Sequence, residues 1–203
     1  GLGIPAEPLF RSSYVAAFPC QHFYADEGIQ PVPLKHQLEE ALHYTAAAID
    51  ETDQLLQRHR VLFFDAPSPA DEAKLVAALL VRIHRFYGKR FSAEQTVGVI
   101  VPYRNQIAVI RHEISLYGEP DLLNISIDTV ERYQGSQRDV IIYSFTVSHR
   151  YQLDFLTANT FFEEVGKEGS SQRLIDRKLN VAMTRARCQL LMTGQTRILR
   201  HNP

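Results

Sequence analysis

Residues 127–144 read "IDTVERYQGSQRDVIIYS". Two apolar runs of strand length flank a polar loop that holds one glycine. The second run, "RDVIIYSFTV" (138–147), does not alternate and is apolar almost throughout. Strands with no polar face are buried on both sides, which is the habit of parallel sheets covered by helices. The flanking sequence repeats the pattern. "TVGVIVPY" (96–103) reads as a strand, and "RNQIAVIRHEISLYG" (104–118) as a helix with Ile107, Ile110 and Ile114 on one face and Gly118 at its stop. Upstream, "RVLFFDAP" (60–67) is a strand ended by proline. "SPADEAKLVAALLVRIHRFYGKR" (68–90) is a helix with Ser68 or Asp71 as cap, acidic residues in its first turn and basic ones in its last. Downstream, "DRKLNVAMTRAR" (176–187) is a helix and "CQLLMTGQ" (188–195) a final strand. This order predicts an α/β fold, a mostly parallel sheet flanked by helices with right-handed crossovers.

Outside that block, residues 1–33 are rich in proline and aromatics and read as an extended lead-in. Residues 34–203 form the domain. It opens with helical sequence over about 34–59, and a long loop over about 157–173 ends in Gly and Ser. A loop of that length in a compact domain is more often functional than decorative. The chain has 203 residues, a formal net charge of -1 and 22% charged residues. These totals exclude a wholesale polycation but not a local basic site. Between Arg173 and Arg187 the basic residues are Arg173, Arg177, Lys178, Arg185 and Arg187, against Asp176 alone, a local excess that suits phosphates. Cys20 and Cys188 follow no metal or redox spacing and read as reduced thiols, so the expected setting is cytoplasmic with no metal ligands, and the apolar runs are far short of the roughly 20 residues that span a bilayer, so no membrane partner is expected.

In open α/β sheets ligands sit outside the carboxyl ends of the strands. The polar clusters "PYRNQ" (102–106), "ERYQGSQ" (131–137) and "TGQTR" (193–197) each follow or end a strand, so all three are expected at that edge. A nucleotide enzyme of this architecture should carry a phosphate-cradling G-x-x-x-x-G-K-[ST] loop. None is present: "YGKR" and "GKEGSS" fail on spacing, and "LFFDAP" lacks the acidic neighbour of a magnesium-binding strand.

Three segments in order account for both the pattern and the gap. "VGVIVPYRNQ" (97–106), "IDTVERYQGSQRDVIIYS" (127–144) and "RKLNVAMTRAR" (177–187) resemble motifs IV, V and VI of superfamily 1 helicases. The resemblance is to the branch containing the nonsense-mediated-decay RNA helicase, the Okazaki-fragment nuclease-helicase and senataxin, and it covers roughly residues 15–200. It implies a RecA-like P-loop NTPase fold without its own Walker A loop: the second, C-terminal RecA-like domain of such a helicase. Its N-terminal RecA-like partner would hold ATP and Mg2+, and its other partner would be single-stranded or duplex nucleic acid. The isolated fragment is then expected to be inactive.

The resemblance also assigns residues. Arg185, the first arginine of T-R-A-R, is implied as the arginine finger, and Arg104 as a second catalytic arginine reaching a phosphate. A planar, always-charged guanidinium suits the charge that develops on a transferring phosphoryl group. Gln134, Gly135, Gln137 and Arg187 are implied as nucleotide contacts. Gln137 stands where the family usually has glutamate, which keeps hydrogen bonding and loses the charge. Residues two apart on a helix do not share a face, so one of Arg185 and Arg187 should point elsewhere. Thr129, Tyr103 and Arg132 are implied as nucleic-acid contacts. The substitution at Gln137 and the missing Walker loop leave one alternative open: a non-catalytic nucleic-acid-binding or scaffold module on a degenerate helicase fold.

Overall fold

The computed structural model describes residues 42, 44–133, 136–156, 159–161 and 174–200. The expected lead-in over 1–33 and most of the 34–43 part of the helical opening lie outside the described residues. The described part of that opening is helix α1, Glu51–Arg58. Strand β1 (Val61–Asp65) and helix α2 (Pro69–Tyr87) follow. Ser68 caps α2 by accepting from Asp71 N, Pro69 opens it, and Gly88 ends it at φ 51°, a left-handed value that glycine adopts without a Cβ penalty. Strand β2 (Val97–Val101) leads into α3 (Arg104–Ser115), then α4 (Pro120–Leu123), β3 (Ser126–Thr129) and β4 (Arg138–Ser144).

A 3-10 turn at Arg150–Gln152 and α5 (Leu153–Leu156) come next. Strands β5 (Asn159–Phe161) and β6 (Leu174–Asp176) pair antiparallel, so the expected 157–173 loop is closed by a short ladder; the rest of it lies outside the described residues. The chain ends with α6 (Arg177–Met183), β7 (Ala186–Gly194) and α7 (Thr196–Leu199). The final strand thus begins two residues earlier than expected: Arg185 occupies the α6–β7 turn and Arg187 lies on the strand.

The main sheet has five strands in the order β1-β7-β4-β2-β3, and every pairing is parallel. One face of it (Val97, Val99, Val101, Val140, Ile142, Leu191) packs against α1 to α4 through Leu56, Val76, Leu80, Ile83, Ile110 and Ile114. The other face (Ile100, Ile141, Tyr143, Leu190) packs against α6 through Ala182 and Met183. Burial on both faces is what removes the polar alternation from the central strands β2, β4 and β7.

Two buried carboxylates tie helices into this frame. Asp53 of α1, 0% exposed, pairs with Arg82 at 2.6 Å and with Arg85, both on α2, and accepts from Ile49 N at 2.8 Å. Glu72 of α2, also 0% exposed, accepts from Ser144 Oγ at 2.7 Å, Thr193 Oγ1 at 2.9 Å and Thr146 N at 3.2 Å. Ser144 and Thr193 are register partners on β4 and β7, so one carboxylate holds the carboxyl ends of two adjacent strands against one helix. Thr146 has φ 54°, a left-handed value uncommon for a β-branched residue, and its amide is turned to the Glu72 carboxylate.

Candidate functional site

The parallel sheet has an amino edge and a carboxyl edge, and the candidate residues divide between them. At the amino edge β4 and β7 start side by side, with Arg138 N donating to Arg185 O at 3.0 Å. Asp139 N donates to Gln95 O at 3.0 Å, bringing in the loop before β2. Gln137 immediately precedes β4, and its carbonyl accepts from Arg138 Nη1 at 2.9 Å.

Arg185 is half-buried. Its Nε donates to Val181 O at 3.3 Å, in the last turn of α6. Among the described residues no carboxylate lies within ion-pair distance of its guanidinium. Burial pushes that guanidinium below the usual arginine range, the signature of a charge removed from water with no opposite charge supplied. Arg187 differs: its Nη1 is 3.5 Å from Asp139 Oδ1 and 3.2 Å from Gln95 Oε1. The two arginines thus differ in surroundings: Arg187 is engaged within the domain and Arg185 is not paired with a carboxylate among the described residues. Gln134 and Gly135 lie outside the described residues.

Tyr133, 1% exposed, lies under this edge with Arg138 Cζ 5.7 Å from its ring centroid. A Cβ on Gly98 would stand 1.6 Å from Tyr133 Oη, so the ring occupies the space that the absent side chain of β2 leaves.

Arg104 stands at the opposite edge, exposed, as the first residue of α3 after β2. Register puts Arg138 beside Ala186 at one end and Ile100 beside Tyr143 at the other. At about 3.3 Å per residue, the backbones of Arg104 and Arg185 are roughly 20 Å apart along the sheet. The expectation that all three polar clusters share the carboxyl edge is corrected: "ERYQGSQ" crosses from the carboxyl end of β3 to the amino end of β4.

Thr129 ends β3 at the carboxyl edge, 7% exposed, and its carbonyl turns the chain by accepting from Tyr133 N at 3.0 Å. Arg132 is exposed, with Nη1 3.9 Å from Asp128 Oδ2. Tyr103 donates its hydroxyl to Gln152 O at 3.3 Å. That bond draws in a segment the motif reading passed over, Ser148–Gln152, which together with Arg197 and Arg200 crowds the ends of β4 and β7. Its signal in the sequence is "SHRYQ", aromatic and basic residues interleaved directly after an apolar strand. Among the described residues no group of three or more His, Cys, Asp or Glu could hold a metal ion, and no helix is long and apolar enough to cross a membrane.

An α/β domain whose five-stranded sheet is parallel, with an arginine facing no carboxylate among the described residues at one edge and exposed basic residues at the other, is suited to phosphate-bearing ligands. The model of a family described as "AAA domain" matches residues 12–197, and the chain belongs to that family, among the superfamily 1 helicases to which motifs IV, V and VI point. The DNA polymerase alpha-associated DNA helicase A of Saccharomyces cerevisiae is 36% identical over 52% of this chain and 13% of its own length. Helicase sen1 of Schizosaccharomyces pombe is 33% identical over 51% of this chain and 5% of its own length, and the probable RNA helicase armi of Drosophila melanogaster 28% identical over 87% and 15%. The chain therefore spans a minor fraction of these relatives. A solved structure described as the C-terminal domain of a possible DNA helicase from Lactobacillus plantarum is 14% identical, covers 67% of this chain and 73% of that one, and superposes with a TM-score of 0.40.

Proposed function

We propose that this chain is the C-terminal RecA-like motor domain of an ATP-dependent superfamily 1 helicase, coupling hydrolysis to movement along and unwinding of nucleic acid. The observation that carries the reading is Arg185: half-buried, held by one backbone carbonyl at 3.3 Å, and facing no carboxylate among the described residues. Desolvating a cation without a counter-charge costs free energy that an arriving anion recovers. On this reading the anion is the terminal phosphoryl group of ATP, bound with Mg2+ on the N-terminal RecA-like domain. Arg185 neutralises the charge that develops there as the phosphoryl group transfers. Gln137, one strand over, offers neutral hydrogen bonds to the same nucleotide, and Gln134 and Gly135 belong to the same loop in sequence. The sequence carries no G-x-x-x-x-G-K-[ST] loop, so on this reading the isolated chain should not hydrolyse ATP, and robust turnover by it would contradict the reading.

Arg104 moves, on this reading, from the triphosphate to the nucleic-acid backbone. It shares the carboxyl edge with Thr129, Arg132 and Tyr103, where contacts to a strand fix register and carry no sequence information. The test uses the full-length protein. Single-stranded nucleic acid should stimulate its ATPase, and Arg185→Ala should lower kcat by about 10³- to 10⁵-fold while circular dichroism stays unchanged. Unaltered turnover in Arg185→Ala would remove the finger. Strand binding without any stimulated hydrolysis in the wild type would favour the non-catalytic module instead.

A further inference from the structure

The residues after β4 and β7 form a surface that the helicase motifs do not use. Tyr151 is 63% exposed, although it is one of the largest apolar side chains in its segment. Its ring stacks on His149 at 5.4 Å between centroids with 27° between planes, leaving an open π face. The loop beneath is stiff. Gln152 Oε1 accepts from Ser148 N at 2.8 Å and from His149 N at 2.9 Å, and Ser148 Oγ lies 2.9 Å from His149 Nδ1. The bond from Tyr103 to Gln152 O fastens it to the end of β2.

Arginines stand beside His149. Arg197 lines two adjoining concavities: one of about 370 Å³ with Ser148, His149, Arg150 and Ile198, and one of about 590 Å³ with Asp65, Thr196 and Arg200. The acidic residues of these segments are Asp65 and Asp154, and the Asp65 carboxylate already accepts from Thr196 N at 2.7 Å. A pre-stiffened, solvent-facing aromatic pair among guanidiniums has the makings of a base-stacking site: every base offers a π face, and the phosphates on either side meet positive charge.

We propose that His149 and Tyr151 form a stacking platform for a base of a single nucleic-acid strand, with Arg197 and Arg200 holding the flanking phosphates. The proposal rests on the reading of this chain as a strand-handling domain. It extends the track beyond Thr129 and Arg104, so that the strand crosses the ends of β3, β2, β4 and β7, a span of about 14 Å at about 4.8 Å per strand. Sequence tolerance follows, since stacking does not read base edges.

The experiment measures nucleotide-free binding of labelled 20-mers, oligo-dT and oligo-rU, to the full-length protein by fluorescence anisotropy. Tyr151→Ala should raise Kd by about 5- to 150-fold, and Tyr151→Phe should restore binding because the ring remains. Arg197→Ala should reduce the slope of log Kobs against log salt by about 0.7. A 2-aminopurine within the oligonucleotide should be quenched by the wild type and by Tyr151→Phe, and not by Tyr151→Ala. If Tyr151→Ala binds like the wild type while Arg104→Ala binds weakly, the platform is overturned and the strand-handling reading survives. If the wild type binds neither oligonucleotide, both fall.

Discussion

At the scale of single residues, Arg185 and Arg187, two positions apart, have different surroundings. Arg187, on β7, meets Asp139 at 3.5 Å, each partner about a quarter exposed. A pair so placed is worth about 0.5–1 kcal/mol. Arg187→Ala should therefore lower the urea midpoint slightly and change turnover far less than Arg185→Ala does; equal losses of kcat would show that the ion pair is not Arg187's main role. Gly98 makes a stricter case. A Cβ there would lie 1.6 Å from Tyr133 Oη and 2.7 Å from Cζ, against a ring that is buried and cannot swing out. Gly98→Ala should cost about 1–3 kcal/mol through overpacking. In Gly98→Ala/Tyr133→Leu the combined loss should fall short of the two single losses added, and simple additivity in denaturation would refute the clash. A glycine inside an apolar run is visible in the sequence. The tyrosine that needs it, 35 positions away, is not, because the pairing is set by how the loop after β3 folds back under β2.

At the scale of elements, two carboxylates do opposite things to the pH dependence. Burial works against ionised Asp53, yet the bonds from Ile49 N, Arg82 and Arg85 hold its carboxyl below the usual range. Its stabilisation is present above the unfolded pKa of about 3.9 and is lost as pH falls through the lower folded value. Asp53→Ala should loosen α1 on α2, where the Asp50–Arg82 pair and the buried Leu56 still hold it, and cost about 2 kcal/mol, since Arg82 and Arg85 are partly exposed and can re-solvate. For Glu72, burial outweighs the donors Ser144, Thr193 and Thr146 and pushes the carboxyl up. The sign reverses: the stability it gives is full below the unfolded value of about 4.3 and is lost as pH rises through the folded one. Stability followed by urea unfolding between about pH 4 and pH 8 should show this decline, and Glu72→Gln should flatten it. A profile unchanged by Glu72→Gln would mean that another group sets the slope. The elements themselves were legible in the sequence because their signals are local: Ser68 at a cap, Gly88 and Gly118 at stops, apolar runs at strands. The end of α6 was not. "VAMTRAR" continues a helical pattern, and what stops the helix at Met183 is β7 pairing with β4 from Ala186 onward.

At the scale of the whole molecule, the parallel sheet separates the two candidate chemistries. The sequence shows Arg185, Gln137, Arg104 and Thr129 as a short series of polar positions around apolar runs, and read in that way it puts Arg104 and Gln137 at one edge. The edge reached depends on whether a residue precedes or follows its strand, and the turn at Thr184–Arg185 put Arg185 before β7 rather than at the end of a longer helix. A separation of roughly 20 Å with no shared hydrogen-bond partner places Arg185 and Arg104 beyond the range at which stability effects couple. The unfolding free energies of Arg185→Ala and Arg104→Ala should therefore add in the double variant to within about 0.5 kcal/mol. Their functional signatures should part. Arg104→Ala weakens nucleotide-free strand binding and reduces its salt slope by about 0.7, whereas Arg185→Ala leaves both unchanged and loses turnover at saturating strand. The same separation forbids the reverse pattern: if Arg185→Ala weakened nucleotide-free strand binding as much as Arg104→Ala does, the two edges would not be independent sites, and the assignment of nucleotide to one and strand to the other would have to be abandoned.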